Sequence, residues 1–147
     1  MYLALKDLAS LFENSRGIQD NLLFVTVCDQ AHIAQPKGLF VSLSGKSGEL
    51  SEAIANGAIA AIWEQGHEVP SYTPNHFPVF FVPNPIEAIG TILNRYIEKL
   101  NGETDEIMDI TNFKFSNKEL LNKNKESYDI AVMLQKVTRK NTAERRE

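Results

Sequence analysis

Apolar residues along this chain fall into two spacings, and the alternation between them predicts its elements. Leu5, Leu8, Leu11 and Phe12 recur at three and four, which predicts a short opening helix ended by Asn14-Ser15-Arg16-Gly17. Leu22 to Cys28 and Gly38 to Leu43 are instead apolar on nearly successive residues, the pattern of strands covered on both faces. Ser51 to Asn56 reads as a short helix closed by Gly57, which runs straight into a buried strand from Ala58 to Trp63. Val79 to Val82 predicts another strand, and it feeds the best-specified helix of the chain. In that helix Ile86, Ile89, Leu93, Tyr96, Ile97 and Leu100 share one face. Asn84 stands as N-cap, Pro85 at the first helical position, Glu87 at the capping-box place and Gly102 just past the end. Strands separated by helices need crossover connections, so the predicted class is α/β, a mostly parallel or mixed sheet with helices on both faces.

Beyond Leu100 the pattern weakens. Ile107 to Phe115 suits a strand, and Tyr128, Ala131, Val132, Leu134 and Gln135 suit a helix with one apolar side. These elements either finish the fold or serve another chain; packing on the body is the expectation, because the apolar stripe would otherwise be an association surface. The organisation expected is a body over residues 1–100, a tail over 101–137 packed on it, and a polar, disordered end over 138–147.

Composition narrows the function. A chain of 147 residues with 43% hydrophobic content buries one core of ordinary size. The net charge of -4 supplies no basic face for nucleic acid. Lys6 and Asp7 interrupt the opening apolar residues too early for a signal peptide, and no later run approaches membrane-spanning length, so a soluble, cytoplasmic protein with no membrane partner is expected. Cys28 is the single cysteine, which excludes an internal disulfide and a thiolate-rich metal site.

Candidate chemistry is sparse. His32, His67 and His76 have no ligand spacing, so no metal is expected. Cys28 beside Asp29 reads as a small buried residue, since a neighbouring acid raises a thiol pKa. Trp63, Phe80 and Phe81 read as core, and Glu49 and Glu52 as first-turn acids that favour a helix dipole. Gly45-Lys46-Ser47 stands between a strand and a helix as a phosphate loop would, but the required upstream glycine position holds Phe40. A plain turn is the reading, with an anion nest of backbone amides from Gly45 to Gly48 as its alternative.

Several stretches together resemble one known domain. They are Leu5-Lys6-Asp7-Leu8, Cys28-Asp29-Gln30, Gln35-Pro36-Lys37-Gly38-Leu39-Phe40-Val41-Ser42-Leu43-Ser44-Gly45, the run from Ser51 to Glu64, and the run from Pro78 to Ile89. In order and spacing, from about Leu3 to Lys99, they resemble the N-terminal domain of the muramyl-peptide (Mur) ligases, bacterial cytoplasmic enzymes that add amino acids to UDP-N-acetylmuramic acid. That domain holds the uridine end of its substrate with an Asp-Ser-Arg turn and the loop after a Leu-Phe-Val strand. By that resemblance Asp29, Gln30, Ser42, Ser44, Gly45, Lys46 and Ser47 would bind a UDP-muramyl or UDP-sugar ligand.

The chain also departs from the family. Gln30 and Ala31 replace the serine and arginine of the turn, and the loop from Gly45 to Ser51 is shorter and lacks the family's Asp-Gly-His/Arg-x-Phe segment. No Gly-Thr-x-Gly-Lys-Thr phosphate loop or carbamylated-lysine region follows Leu100, and ligation through an acyl phosphate needs cradled phosphates and a metal. The implied function is a stand-alone, non-catalytic relative of the substrate domain, with no cofactor and no catalytic residue, that binds a UDP-muramyl or UDP-sugar precursor or a protein of the cell-wall pathway. Two alternatives stand beside it. One is a subunit of a UDP-N-acetylmuramyl-peptide synthase completed by another chain; the other is an adaptor with a dead pocket whose tail helix binds a protein partner.

Overall fold

The parallel centre of the sheet is built from the apolar runs, because a strand covered by helices on both sides needs apolar residues at successive positions. The computed structural model describes residues 2–17, 22–43, 47–101 and 111–115. In chain order the elements are β1 (Leu3–Ala4), α1 (Leu5–Leu11), β2 (Ser15–Arg16), β3 (Leu23–Phe24), β4 (Thr26–Cys28), β5 (Gly38–Val41), α2 (Leu50–Ala55), β6 (Ala58–Glu64), β7 (Val79–Val82), α3 (Pro85–Asn101) and β8 (Asn112–Lys114). Six strands form one sheet in the order β2-β7-β6-β5-β4-β8, and β1 and β3 form a separate antiparallel pair. All neighbours in the larger sheet are parallel except β2, which closes one edge antiparallel to β7. The α/β class and the mostly parallel sheet are therefore as expected.

Alternation along the strands divides the core in two. Val27, Leu39, Val41, Ala60, Ile62, Phe80 and Val82 face Leu5 and Leu8 of α1 and Ala88, Ile89, Ile92, Leu93 and Tyr96 of α3. Phe40, Ala61 and Val79 face Leu50 and Ala53 of α2, together with Ala31 and Phe77. Helices thus cover both faces. Each large side chain buried completely in this way contributes roughly 1.5–3 kcal/mol.

The caps explain where the helices start. Asn84 Oδ1 accepts from the backbone amides of Ile86 at 3.0 Å and Glu87 at 3.4 Å, as its N-cap position predicts. Replacing it in Asn84→Ala is expected to cost about 1 kcal/mol in a urea melt, and an unchanged midpoint would show that Pro85 alone sets the start. The opening helix has no side-chain acceptor at Ala4; instead Asp7 Oδ2 accepts from the Ala4 amide at 2.9 Å. The same oxygen holds Lys99 Nζ at 2.8 Å, and Lys99 also donates to the Tyr2 carbonyl, which ties the chain's opening to the last turn of α3.

Several expectations are corrected. Leu22 to Cys28 is not one strand covered on both faces. Leu23 and Phe24 pair with β1, and at Val25 the chain changes partner: its amide donates to the Lys37 carbonyl and its carbonyl accepts from Asn112. Leu23, on the small pair, is 49% exposed. Ser15 and Arg16 do more than end a helix, since they pair with Phe80 and Val79 as an edge strand. The strand from Gly38 stops at Val41 because the Leu43 amide turns to the Ser47 hydroxyl.

The described part of the tail packs on the body. Within Ile107 to Phe115, β8 lies parallel to β4, and Phe113 and Phe115 pack against the α3-side core. The helix expected around Tyr128 to Gln135, the cap at Gly102 and the end over 138–147 lie outside the described residues. Among the described residues, no helix is long and apolar enough to cross a membrane.

Candidate functional site

In a parallel sheet every strand delivers its following loop to the same end, the carboxyl end, and ligands gather at that edge of the layer because the loops and helix starts expose backbone groups. At this edge the turn after β4 meets the loop after β5. The Ala31 amide donates to the Ser47 carbonyl at 2.8 Å, and Gly48 lies so close that an added Cβ would stand 3.1 Å from Ala31 Cβ. Asp29 and Ser47 are buried, and Gln30 and Ser42 are half-buried. The structure therefore brings Asp29, Gln30, Ser42 and Ser47 to one junction. Ser44, Gly45 and Lys46 lie outside the described residues.

The hydroxyl of Ser47 is engaged within the protein. It accepts from the Leu43 amide at 2.8 Å and donates to the Val41 carbonyl at 3.2 Å, closing the loop on itself. The Ser42 amide donates to the Ile62 carbonyl, which anchors the other end of that loop to β6. Of the expected ligand residues that are described, Gln30 and Ser42 keep partly exposed side chains.

Two residues to which the resemblance assigns no role hold the turn in place. Gln35, completely buried, donates through Nε2 to the carbonyls of Gln30 at 3.0 Å and Ile33 at 3.2 Å. Its Oε1 has no hydrogen-bond partner among the described residues. Asn56, just past α2, donates through Nδ2 to the Ala31 carbonyl at 2.9 Å. A buried Gln or Asn in an otherwise irregular segment is the available signal, since such a side chain must find backbone partners. Lys114 was also missed, because it reaches the junction from β8, far along the chain: it stands opposite Cys28 and donates to the Ala34 carbonyl at 3.0 Å.

Cys28 is buried at the end of β4. Burial pushes the Cys28 thiol pKa above its ordinary value; Asp29 raises it further, whereas the Gln30 backbone and Lys114 pull it down. The thiol donates to the Gln30 carbonyl at 3.3 Å and accepts from the Gln30 amide at 3.5 Å. A thiol so held is a poor nucleophile at neutral pH. His32, His67 and His76 are exposed, with His67 3.8 Å from Glu64, and among the described residues no cluster of His, Cys, Asp or Glu could hold a metal ion. Phe80 is core, and Trp63 and Phe81 pack half-buried against the α2-side cluster.

A hollow of about 290 Å³ lies at the same edge but farther along it, where Pro83, Asn84 and Glu87 begin α3 beside Phe12. A shallower one of about 550 Å³ borders Gln65 to Glu68. Neither is lined by a residue that the resemblance assigns to the ligand. No protein-family model matches this chain, and no curated protein matches it.

Proposed function

We propose that the protein is a non-catalytic binding domain whose ligand is a UDP-sugar or UDP-muramyl precursor, held where the Asp29 turn meets the loop ending at Gly48. The observation that carries this reading is the Ala31–Ser47 hydrogen bond, which joins the turn after β4 to the loop after β5 at the carboxyl end of the strands, where a parallel sheet collects its ligands. The resemblance to the Mur-ligase substrate domain supplies the class of ligand. Non-catalytic character rests on the sequence: Phe40 stands where a phosphate loop would need glycine.

The test is an amide NMR titration with UDP-N-acetylmuramic acid. Asp29, Gln30, Ser42, Ser47 and Gly48 should shift as one cluster, with an affinity in the high-micromolar range or weaker, roughly 4 to 6 kcal/mol. The absence of any shift at millimolar ligand would defeat the reading. A second reading, a protein-interaction adaptor, draws support from the burial of Asp29 and the internal engagement of Ser47, which leave a ligand little side-chain chemistry. It predicts that null result.

A further inference from the structure

Cationic side chains among the described residues stand away from the junction, with one exception. Lys37 precedes Gly38 at the opening of β5, and Arg16 pairs with Val79 at the opening of β7, so both lie at the amino ends of the parallel strands. Arg95 and Lys99 belong to the second half of α3, and Lys99 is bound to Asp7, the neighbour of Lys6. Lys114 is different. It is the last residue of β8 and lies across from Cys28, the last residue of β4, so its backbone is one strand spacing, about 5 Å, from the residue that precedes Asp29. Its ammonium group donates to Ala34, within the loop that Asp29 opens. An ammonium has three protons to donate, this bond uses one, and the side chain is exposed.

We propose that Lys114 adds a positive charge to the ligand site, contacting the phosphates of a nucleoside diphosphate sugar at the carboxyl end of β4. The inference rests on the binding reading above and adds to it a residue that the motif comparison does not contain. Its physical reason is charge balance. A diphosphate is anionic, and Gln30 and Ala31, which replace the serine and arginine of the family's turn, bring no cation to meet it. A charge-assisted hydrogen bond from a lysine is the simplest recognition of a phosphate oxygen. Opposite influences of Asp29 and Lys114 on the Cys28 thiol place both charges within electrostatic reach of one sulfur atom.

The experiment compares the full chain with Lys114→Gln and Lys114→Arg, titrated with UDP and with uridine and followed by amide NMR at low salt. Lys114→Gln should weaken UDP binding about tenfold and leave uridine binding unchanged, as loss of one charged contact predicts. Lys114→Arg should retain UDP affinity, and the melting temperatures of all three should agree. Equal UDP affinity in the wild type and Lys114→Gln overturns the inference while leaving the binding reading intact. Equal weakening of UDP and uridine, or a lowered melting temperature, also overturns it, because the lysine would then act by bracing the loop through Ala34. A wild-type chain that binds neither compound removes both the binding reading and this one.

Discussion

Cutting the chain after Asn101 is expected to lower its unfolding free energy by about 4 kcal/mol relative to a chain cut after residue 116. The loss comes from the short segment that carries β8. Thr111 Oγ1 accepts from the Leu3 amide at 2.9 Å and donates to the Phe24 carbonyl at 2.6 Å, and the Thr111 amide donates to the Tyr96 hydroxyl at 2.8 Å. These are three buried bonds, each contributing about 1 kcal/mol. Phe113 adds a half-buried ring packed 5.7 Å from Tyr96, and β8 itself covers the open edge of β4. Urea melts followed by Trp63 fluorescence measure the difference, and superimposable curves would show that β8 is an ornament on a finished domain. Thr111→Val in the full chain gives an independent measure. It strands the Leu3 amide and the Phe24 carbonyl without partners, and should cost about 2 kcal/mol.

Gly57→Ala should be comparably damaging, with a loss of about 3 kcal/mol or more. Gly57 has φ +116°, and a Cβ there would stand 2.6 Å from the Gln35 carbonyl oxygen and 3.0 Å from Pro36 Cα. All the obstructing atoms are backbone, so no rotamer change relieves the clash. Gly66 separates the two contributions. It also has positive φ, at +89°, but nothing lies within 4 Å of its added Cβ, so Gly66→Ala should cost only about 1 kcal/mol of backbone strain. Equal midpoints for the two variants would refute the close approach. Because Gln35 holds the Gln30 carbonyl, Gly57→Ala should also disturb the amide signals around Asp29.

Local signals in the sequence identified the elements whose causes are local. Asn84-Pro85 marked the start of α3, Gly57 the end of α2, and the apolar runs of β5, β6 and β7 the buried centre of the sheet. What escaped was partner choice. Leu22 to Cys28 is uniformly apolar, and nothing within it tells Phe24 to pair with Leu3 while Cys28 pairs with Phe40. The short strand Ser15–Arg16 is polar and earns its place only from the free edge of β7. The same limit applies to the site. The Asp29 turn and the loop after Val41 were legible as motifs, whereas Gln35 and Asn56 act through backbone contacts and Lys114 arrives from β8.

Thr111 sets a timetable for the molecule as well as a contact. The Leu3 amide is held by a hydroxyl 108 positions away, so during synthesis β1 can pair with β3 early, but this acceptor does not exist until nearly the whole body has been made. Entropy of closing so long a loop is repaid only after the sheet has brought the ends together, which places docking of β8 late on the folding route. Until then β4 presents an unpaired edge, and the nascent chain carries in that interval its greatest tendency to pair with another copy.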